Sequence, residues 1–290
     1  MEKTLRYIAT QWPMHDYPTA KKPWSPERLL AEIQKAGFDG FTARAQSKTL
    51  HLASKAGMTI VGNVDIGNKA EVRKKLTEFR DLGALYINIQ LCDHDTPTEK
   101  ALPIAMHVME EGAKLGLRPQ IEFHRDTCTE TPEKGYALAA AYKKATGEIM
   151  PMNFDYSHLA IIKQLNYTVF SKRLLEPKGR EILAPSPMLH LRPFNGSHCQ
   201  IPITDGRGGL SLEFKQWLPF CEDALTVWYK DKNWDSYRVV VPEQGPVGSG
   251  YGLSCFPDVW EDIVVLNNEI KKVWKRISSK GKTTKAKAKR

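Results

Sequence analysis

Arg118-Pro119-Gln120-Ile121-Glu122-Phe123-His124-Arg125-Asp126, near the middle of the chain, alternates strictly in polarity. In an extended strand Gln120, Glu122 and His124 share one face, and Ile121 and Phe123 take the other. Solvent is the usual reason for a polar face. Here three later segments repeat the pattern, each ending in a residue type that binds metals. Met152-Asn153-Phe154-Asp155 sets Asn153 and Asp155 on one face, and Met188-Leu189-His190-Leu191-Arg192 sets His190 with Arg192. Val240-Val241-Pro242-Glu243 ends on Glu243.

Working outward, these segments are the last four of a longer series. Strands are expected over 5–12, 38–43, 58–65 and 85–91, then over 120–124, 152–156, 188–192 and 237–243. Helices are expected between them, over 26–35, 48–56, 68–82, 98–115, 132–146, 159–170 and 212–229, and over 259–277 after the last strand. Ser25-Pro26-Glu27 reads as a helix cap followed by proline at the first helical position. Gln34-Lys35-Ala36-Gly37-Phe38 resembles Ser54-Lys55-Ala56-Gly57-Met58, and Gly83 and Gly116 punctuate the chain in the same way. Strands and helices alternating every ~25–35 residues indicate βα units and a parallel sheet. Eight such units, with no Gly-rich dinucleotide fingerprint after the first strand, favour a closed (β/α)8 TIM barrel over a doubly wound sheet. The expected division is a single barrel over 1–277 and a disordered basic tail over 278–290.

Composition narrows the function classes. The chain has 290 residues and is 41% hydrophobic, ample for one large core, but its apolar runs are too short to span a bilayer. Met1-Glu2-Lys3-Thr4 lacks the basic-then-apolar pattern of a signal peptide. Cys92, Cys128, Cys199, Cys221 and Cys255 are an odd, scattered set that suits free thiols in a reducing compartment. A soluble cytoplasmic protein is expected. The net charge of +9 is concentrated in the tail, where Lys280, Lys282, Lys285, Lys287, Lys289 and Arg290 carry six positives without an acid; taking those six from +9 leaves +3. A solvated tail accounts for this, with an anionic partner as the alternative.

In a (β/α)8 barrel the active face lies at the C-terminal ends of the strands. Glu122, Asp155, His190 and Glu243 all reach that end of strands five to eight, so the inward polar set converges on the barrel mouth. Two carboxylates ~4 Å apart repel by roughly 4 kcal/mol at an effective dielectric near 20. Three together cost about as much as a domain's whole stability of roughly 5–15 kcal/mol, and a divalent cation removes that cost directly. Three carboxylates and one imidazole form a mostly hard set. They favour Mn²⁺ or Mg²⁺, with Co²⁺ or Zn²⁺ as alternatives, over a structural zinc site built on cysteine.

At these residues the chain resembles the xylose-isomerase-like TIM-barrel superfamily of sugar isomerases and epimerases, over essentially residues 1–277. The matching motifs are Ile121-Glu122-Phe123-His124-Arg125, Asp155-Tyr156-Ser157-His158, His190-Leu191-Arg192-Pro193 and Pro242-Glu243-Gln244-Gly245-Pro246. Each is weak alone; four in order at successive strands are specific. The resemblance to D-tagatose 3-epimerase-type enzymes implies one divalent metal ion on Glu122, Asp155, His190 and Glu243. His158 matches a substrate-binding histidine. Arg192 matches a substrate-binding arginine, although it follows His190 by only two residues, closer than in those epimerases. The implied substrate is a small carbohydrate.

The chemistry suits those residue types. Moving a sugar carbonyl, or inverting the carbon beside it, needs a proton taken from carbon and an enediolate stabilised. Glu122 and Glu243 are the candidate base and acid, His158 and Arg192 candidate donors to the oxyanion. His124 faces inward too, either to contact substrate or to support the ligands. The loops over 193–209 and 245–257 are Gly-rich and suit a lid, and Trp12 and Gln90 are candidates to line the far wall. The rival reading is a lyase or hydrolase of keto-sugars or inositol derivatives, which starts with the same proton abstraction. A nuclease like endonuclease four needs extra histidines on the early strands. Ala43-Arg44-Ala45 and Gly62-Asn63-Val64-Asp65 offer none, so nucleic acid is not expected as a partner. A non-catalytic sugar-binding barrel has no need of a costly carboxylate cluster. Homo-oligomerisation is left open.

Overall fold

A computed structural model of the chain describes residues 3–234 and 236–287, and side-chain surroundings as far as position 280. Eight parallel strands close into one barrel in sequence order: β1 (Leu5–Thr10), β2 (Gly40–Ala43), β3 (Thr59–Ile66), β4 (Tyr86–Leu91), β5 (Arg118–Phe123), β6 (Met152–Asp155), β7 (Met188–Leu191) and β8 (Arg238–Pro242). The barrel closes through β1, which sets Ile8 opposite Gly40 of β2 and Leu5 opposite Arg238 of β8. The expected (β/α)8 barrel is therefore present.

Helices α1 (Pro26–Lys35), α2 (Lys48–Lys55), α3 (Lys69–Asp81), α4 (Thr98–Lys114) and α5 (Pro132–Thr146) return the chain after the first five strands. Their ends follow from local sequence. Ser25 Oγ accepts the Arg28 N–H at 3.3 Å with Pro26 opening the helix, and Asn68 and Glu71 form a reciprocal capping box on α3. Gly37 and Gly57 end α1 and α2 at φ 73° and 72°, a conformation that strains any residue with a Cβ.

The sixth return departs from the single helix expected over 159–170. It is broken into α6 (Tyr156–Ile162), a 3-10 turn at Tyr167–Val169, α7 (Phe170–Leu174) and α8 (Pro177–Leu183). Gln164 turns left-handed at φ 48°, Asn166 Oδ1 caps the Thr168 N–H at 3.0 Å, and Pro177 opens α8. Three local punctuation signals outweigh the apolar periodicity. Helix α9 (Leu212–Lys230) precedes β8, and α10 (Val259–Lys287) follows it. Helical backbone thus continues past Ile277, with Ser278 Oγ on the Trp274 carbonyl at 2.9 Å. The last three residues of the tail lie outside the described residues.

Inside the barrel, composition changes along each strand. Ile8, Val61, Tyr86, Met188, Val239 and Val241 form an apolar plug. Two residues further along the same strands stand Thr10, Asn63, Asn88, His190 and Glu243, because alternate positions of a strand face the same way. The large outer core lies between sheet and helices and takes Ile121, Phe123, Phe154, Leu189 and Leu191, the outward neighbours of the polar set. The plug supports one end, and the chemistry sits at the other.

Candidate metal centre

Each element delivers its side chain by a local rule. Glu122 is the penultimate residue of β5, Asp155 the last of β6, His190 sits in β7, and Glu243 follows β8 with its N–H on the Leu191 carbonyl at 3.2 Å. Register places Asp155 beside His190 and Glu122 beside Asn153. Asp155 is also the N-cap of α6, its Oδ1 accepting the Ser157 N–H at 3.0 Å. That turn brings His158 back over Asp155, with Nε2 3.4 Å from Oδ2.

Candidate ligand atoms of Glu122, Asp155 and His190 all lie within 4.8 Å of one another, and all three residues are buried. Glu243 joins through the imidazole. His190 Nδ1 is 2.8 Å from Glu122 Oε1 and 3.2 Å from Glu243 Oε2. Neither approach has the angles of a hydrogen bond, so Nδ1 and Glu243 Oε2 are both buried without a hydrogen-bond partner. Ligands around an octahedral ion with ~2.1 Å bonds stand roughly 3 Å apart, and these separations fit that spacing. The charge fits as well. Three carboxylates are balanced by Arg192 and one divalent cation when His190 is neutral.

Arg192 occupies a place its sequence position did not reveal. It is 2% exposed. Its Nη2 pairs with Asp155 Oδ2 and lies 2.9 Å from His158 Nε2, and Nε donates to Ser157 Oγ at 3.0 Å. Nη1 is buried without a partner, and the guanidinium packs over the Tyr251 and Trp12 rings at 4.5 and 5.6 Å. Since the guanidinium donates to His158 Nε2, the imidazole, kept neutral well below its ordinary range by burial, carries its proton on Nδ1. That Nδ1 also has no partner. His124 stands edge-on to His158 with ring centres 4.4 Å apart.

Asn88 was not singled out from the sequence, although it shares the inward face of β4 with Gln90. Asn88 Nδ2 donates to Glu122 Oε2 at 2.7 Å and Gln90 Nε2 to the same oxygen at 3.2 Å. Asn153 Nδ2 donates to Asn88 Oδ1 at 2.8 Å, while Asn153 Oδ1 accepts the His190 N–H at 3.1 Å. Side-chain amides on consecutive inward positions were the available signal.

A cavity of about 510 Å³ opens above the cluster, with Trp12, Asn63, Gln90, His124, Glu243 and Tyr251 among its walls. This volume suits a small molecule. A larger space of about 770 Å³ lies on the outer flank between α5 and α8, lined by Tyr136 and Lys178, away from the clustered groups. The loop after β7, expected as a lid, is tied down. Gln200 exchanges hydrogen bonds of 2.6 and 3.0 Å with the Gly245 backbone, and Asp262 of α10 accepts the Ile203 N–H at 2.7 Å.

Burial acts against a charge on His190, but the Glu122 and Glu243 carboxylates outweigh it and lift the imidazole to about 10 in the metal-free protein. Burial likewise works to raise the Glu122 carboxyl, and His190 overcomes it, holding Glu122 below the usual carboxylate range. A metal ion needs the neutral imidazole, so binding at neutral pH must expel its proton. Apparent metal affinity is therefore expected to rise with pH by up to roughly tenfold per unit and to level off near pH 10. Calorimetric titrations with Mn²⁺ at pH 6.5, 7.5 and 8.5 check this; a pH-independent affinity would remove His190 from the ligand set.

No family model and no curated protein matches the chain. Solved structures do. An L-ribulose 3-epimerase is similar at 12% identity over 97% of this chain and 98% of that one, with a TM-score of 0.60. A D-psicose 3-epimerase in the presence of D-fructose is similar at 14% identity over 92% and 96%, with a TM-score of 0.56. The IolI protein, solved with a zinc atom, is similar at 13% identity over 95% and 98%, with a TM-score of 0.52. At such identities the likeness is one of fold: the chain has the fold of the xylose-isomerase-like barrels.

Proposed function

We propose that the chain is a divalent-metal-dependent isomerase or epimerase of a sugar or sugar derivative, which removes a proton beside a carbonyl and passes through an enediolate. The observation that carries this is the convergence of Glu122, Asp155 and His190, with Glu243, itself a wall of a cavity of small-molecule size, against the same imidazole. Glu122, Asp155, His190 and Glu243 would hold the ion; Mn²⁺ or Mg²⁺ suits the hard donors, and Co²⁺ or Zn²⁺ is the alternative. When bound, it supplies Lewis-acid stabilisation of negative charge on the substrate oxygens. His158 donates from its unpartnered Nδ1 to a substrate oxygen, Arg192 fixes His158 and Asp155, and His124 packs against His158 at the cavity wall. Ketoses are the substrates named for several neighbours of the same fold, which favours a carbohydrate here. Five free cysteines accord with a reducing cytoplasm. The barrel proper would end near residue 277, with the basic tail dispensable.

The test incubates metal-loaded protein with ketoses, aldoses and keto-glycosides in deuterated water. Exchange of the α-hydrogen with formation of an isomer is expected. Release of a second product would assign a lyase instead, and tight sugar binding without exchange would make this a binding barrel.

A further inference from the structure

Two of the five cysteines meet where β4 and β5 run out. Cys92 follows Leu91, the last residue of β4, and Cys128 lies in the turn after β5. The Cys128 N–H donates to the Leu91 carbonyl at 3.1 Å. The corresponding bond at the other end of the barrel runs from the Arg118 N–H to the Leu85 carbonyl at 2.8 Å, and there Tyr86 stands opposite Arg118 in the β4–β5 ladder. Cys92 and Cys128 are therefore cross-strand neighbours just beyond the sheet. Strands bonded in this way run ~4.8 Å apart, and a disulfide needs Cα atoms roughly 4.4–6.8 Å apart. The side chains converge as well, since the Cys128 thiol donates to the Cys92 sulfur. The other cysteines come from elsewhere: Cys221 is buried in α9, and Cys199 and Cys255 lie in the loops after β7 and β8.

The two sulfurs differ in reach and in reactivity. Cys128 is 3% exposed, whereas Cys92 is half-buried. The bond from Cys128 favours the thiolate on Cys92 and draws that thiol below its ordinary value, against burial and the Asp93 and Glu71 carboxylates. The same bond, together with burial, lifts the Cys128 thiol. Cys92 takes φ 54°, where glycine would be unstrained, so the chain carries a sulfur at a position that disfavours any side chain.

We propose that Cys92 and Cys128 are a peroxide-sensitive dithiol that closes reversibly to a disulfide. The Cys92 thiolate attacks one oxygen of hydrogen peroxide: an S–O bond forms, the O–O bond breaks and hydroxide leaves, giving a sulfenic acid. Cys128 gives up its proton and attacks the Cys92 sulfur. The S–S bond forms, the S–O bond breaks, and the departing hydroxide takes the proton and leaves as water. Two thiols and one peroxide thus become one disulfide and two waters, with sulfur oxidised and peroxide reduced. A small thiol such as glutathione reverses the bond by exchange. Thr127 and Thr129 flank Cys128, and their hydroxyls hold the His124 and Glu122 carbonyls. The disulfide therefore tethers the turn that supports a candidate metal ligand.

The test treats the reduced full-length protein with hydrogen peroxide, alkylates the remaining thiols and identifies linked peptides by mass spectrometry. The Cys92–Cys128 pair is expected to exceed every other pairing within one chain by about tenfold or more, and dithiothreitol should restore both thiols. Oxidation of Cys92 to sulfinic acid without a linked peptide, or preferred pairing of other cysteines, would overturn the proposal. That measurement needs no variant. Single variants then separate the roles. In Cys128→Ser, dimedone should trap a sulfenic acid on Cys92, and in Cys92→Ser it should leave Cys128 unlabelled at the same peroxide dose. Equal trapping at the two sulfurs would overturn the assignment of Cys92 as the attacking thiolate.

Discussion

A Glu122→Gln, Glu243→Gln double variant is expected to fall from about one bound divalent ion per chain to background, with the fold intact. Each substitution keeps the side chain's shape and removes one negative charge. A unit charge ~4 Å from a divalent ion contributes up to about 8 kcal/mol at an effective dielectric near 20 before solvation. Even half of that lost once corresponds to roughly a thousandfold in affinity. The Asn88 amide can turn to suit the side-chain amide that Glu122→Gln introduces, since an amide group both donates and accepts. Removing the carboxylates on both sides of His190 also removes the partners that hold its imidazole charged, so thermal stability without metal should fall at neutral pH while the fold is retained. Metal analysis after dialysis, with circular dichroism alongside, checks both parts. Retention of one ion per chain would remove these glutamates from the site. Asp155→Asn is a poorer probe than its place at a strand end suggests, because it also deprives Arg192 of its charge partner.

The second large effect concerns that pair. Arg192→Met should destabilise the metal-free protein by about 3–5 kcal/mol, read as a shift of the denaturant midpoint. The side chains of Arg192 and Asp155 are 1% and 0% exposed, so losing the guanidinium strands a carboxylate without water. Burial acts to raise the Asp155 carboxyl, and Arg192 is the largest influence holding it below its ordinary value. Two further measurements separate this from a mere packing loss. Saturating divalent ion should recover part of the deficit in Arg192→Met by supplying positive charge beside Asp155. An Arg192→Met, Asp155→Asn double variant should lie closer to the parent than Arg192→Met alone, since no buried charge is then left unpaired. Equal stability of Arg192→Met and the parent would rule the ion pair out.

The pair also marks where the sequence stops being informative. Strand alternation is a local property, and for that reason Glu122, Asp155, His190 and Glu243 could be placed at one end of successive strands from residue types alone. The same locality made the βα rhythm legible, through caps such as Ser25 and Asn68 and stops such as Gly37. It failed in the sixth return, where Gln164, Asn166 and Pro177 divide one apparent helix into α6, α7 and α8. Those signals were present in the chain, but the apolar period ran across them.

Tertiary structure alone decided how the inward side chains pair. Asn88, Glu122 and Asn153 belong to different strands, and their contacts depend on parallel register and on closure of the barrel. Closure also draws Arg192 onto Asp155 and brings Tyr251, from the loop after β8, over its guanidinium. The sequence by itself determined which groups face the mouth, because period two fixes direction within each strand. That Glu122 is tied to Asn88 and Gln90 was decided by neighbours tens of residues away, because hydrogen bonds between side chains form only where the folded backbone brings donor and acceptor within ~3 Å.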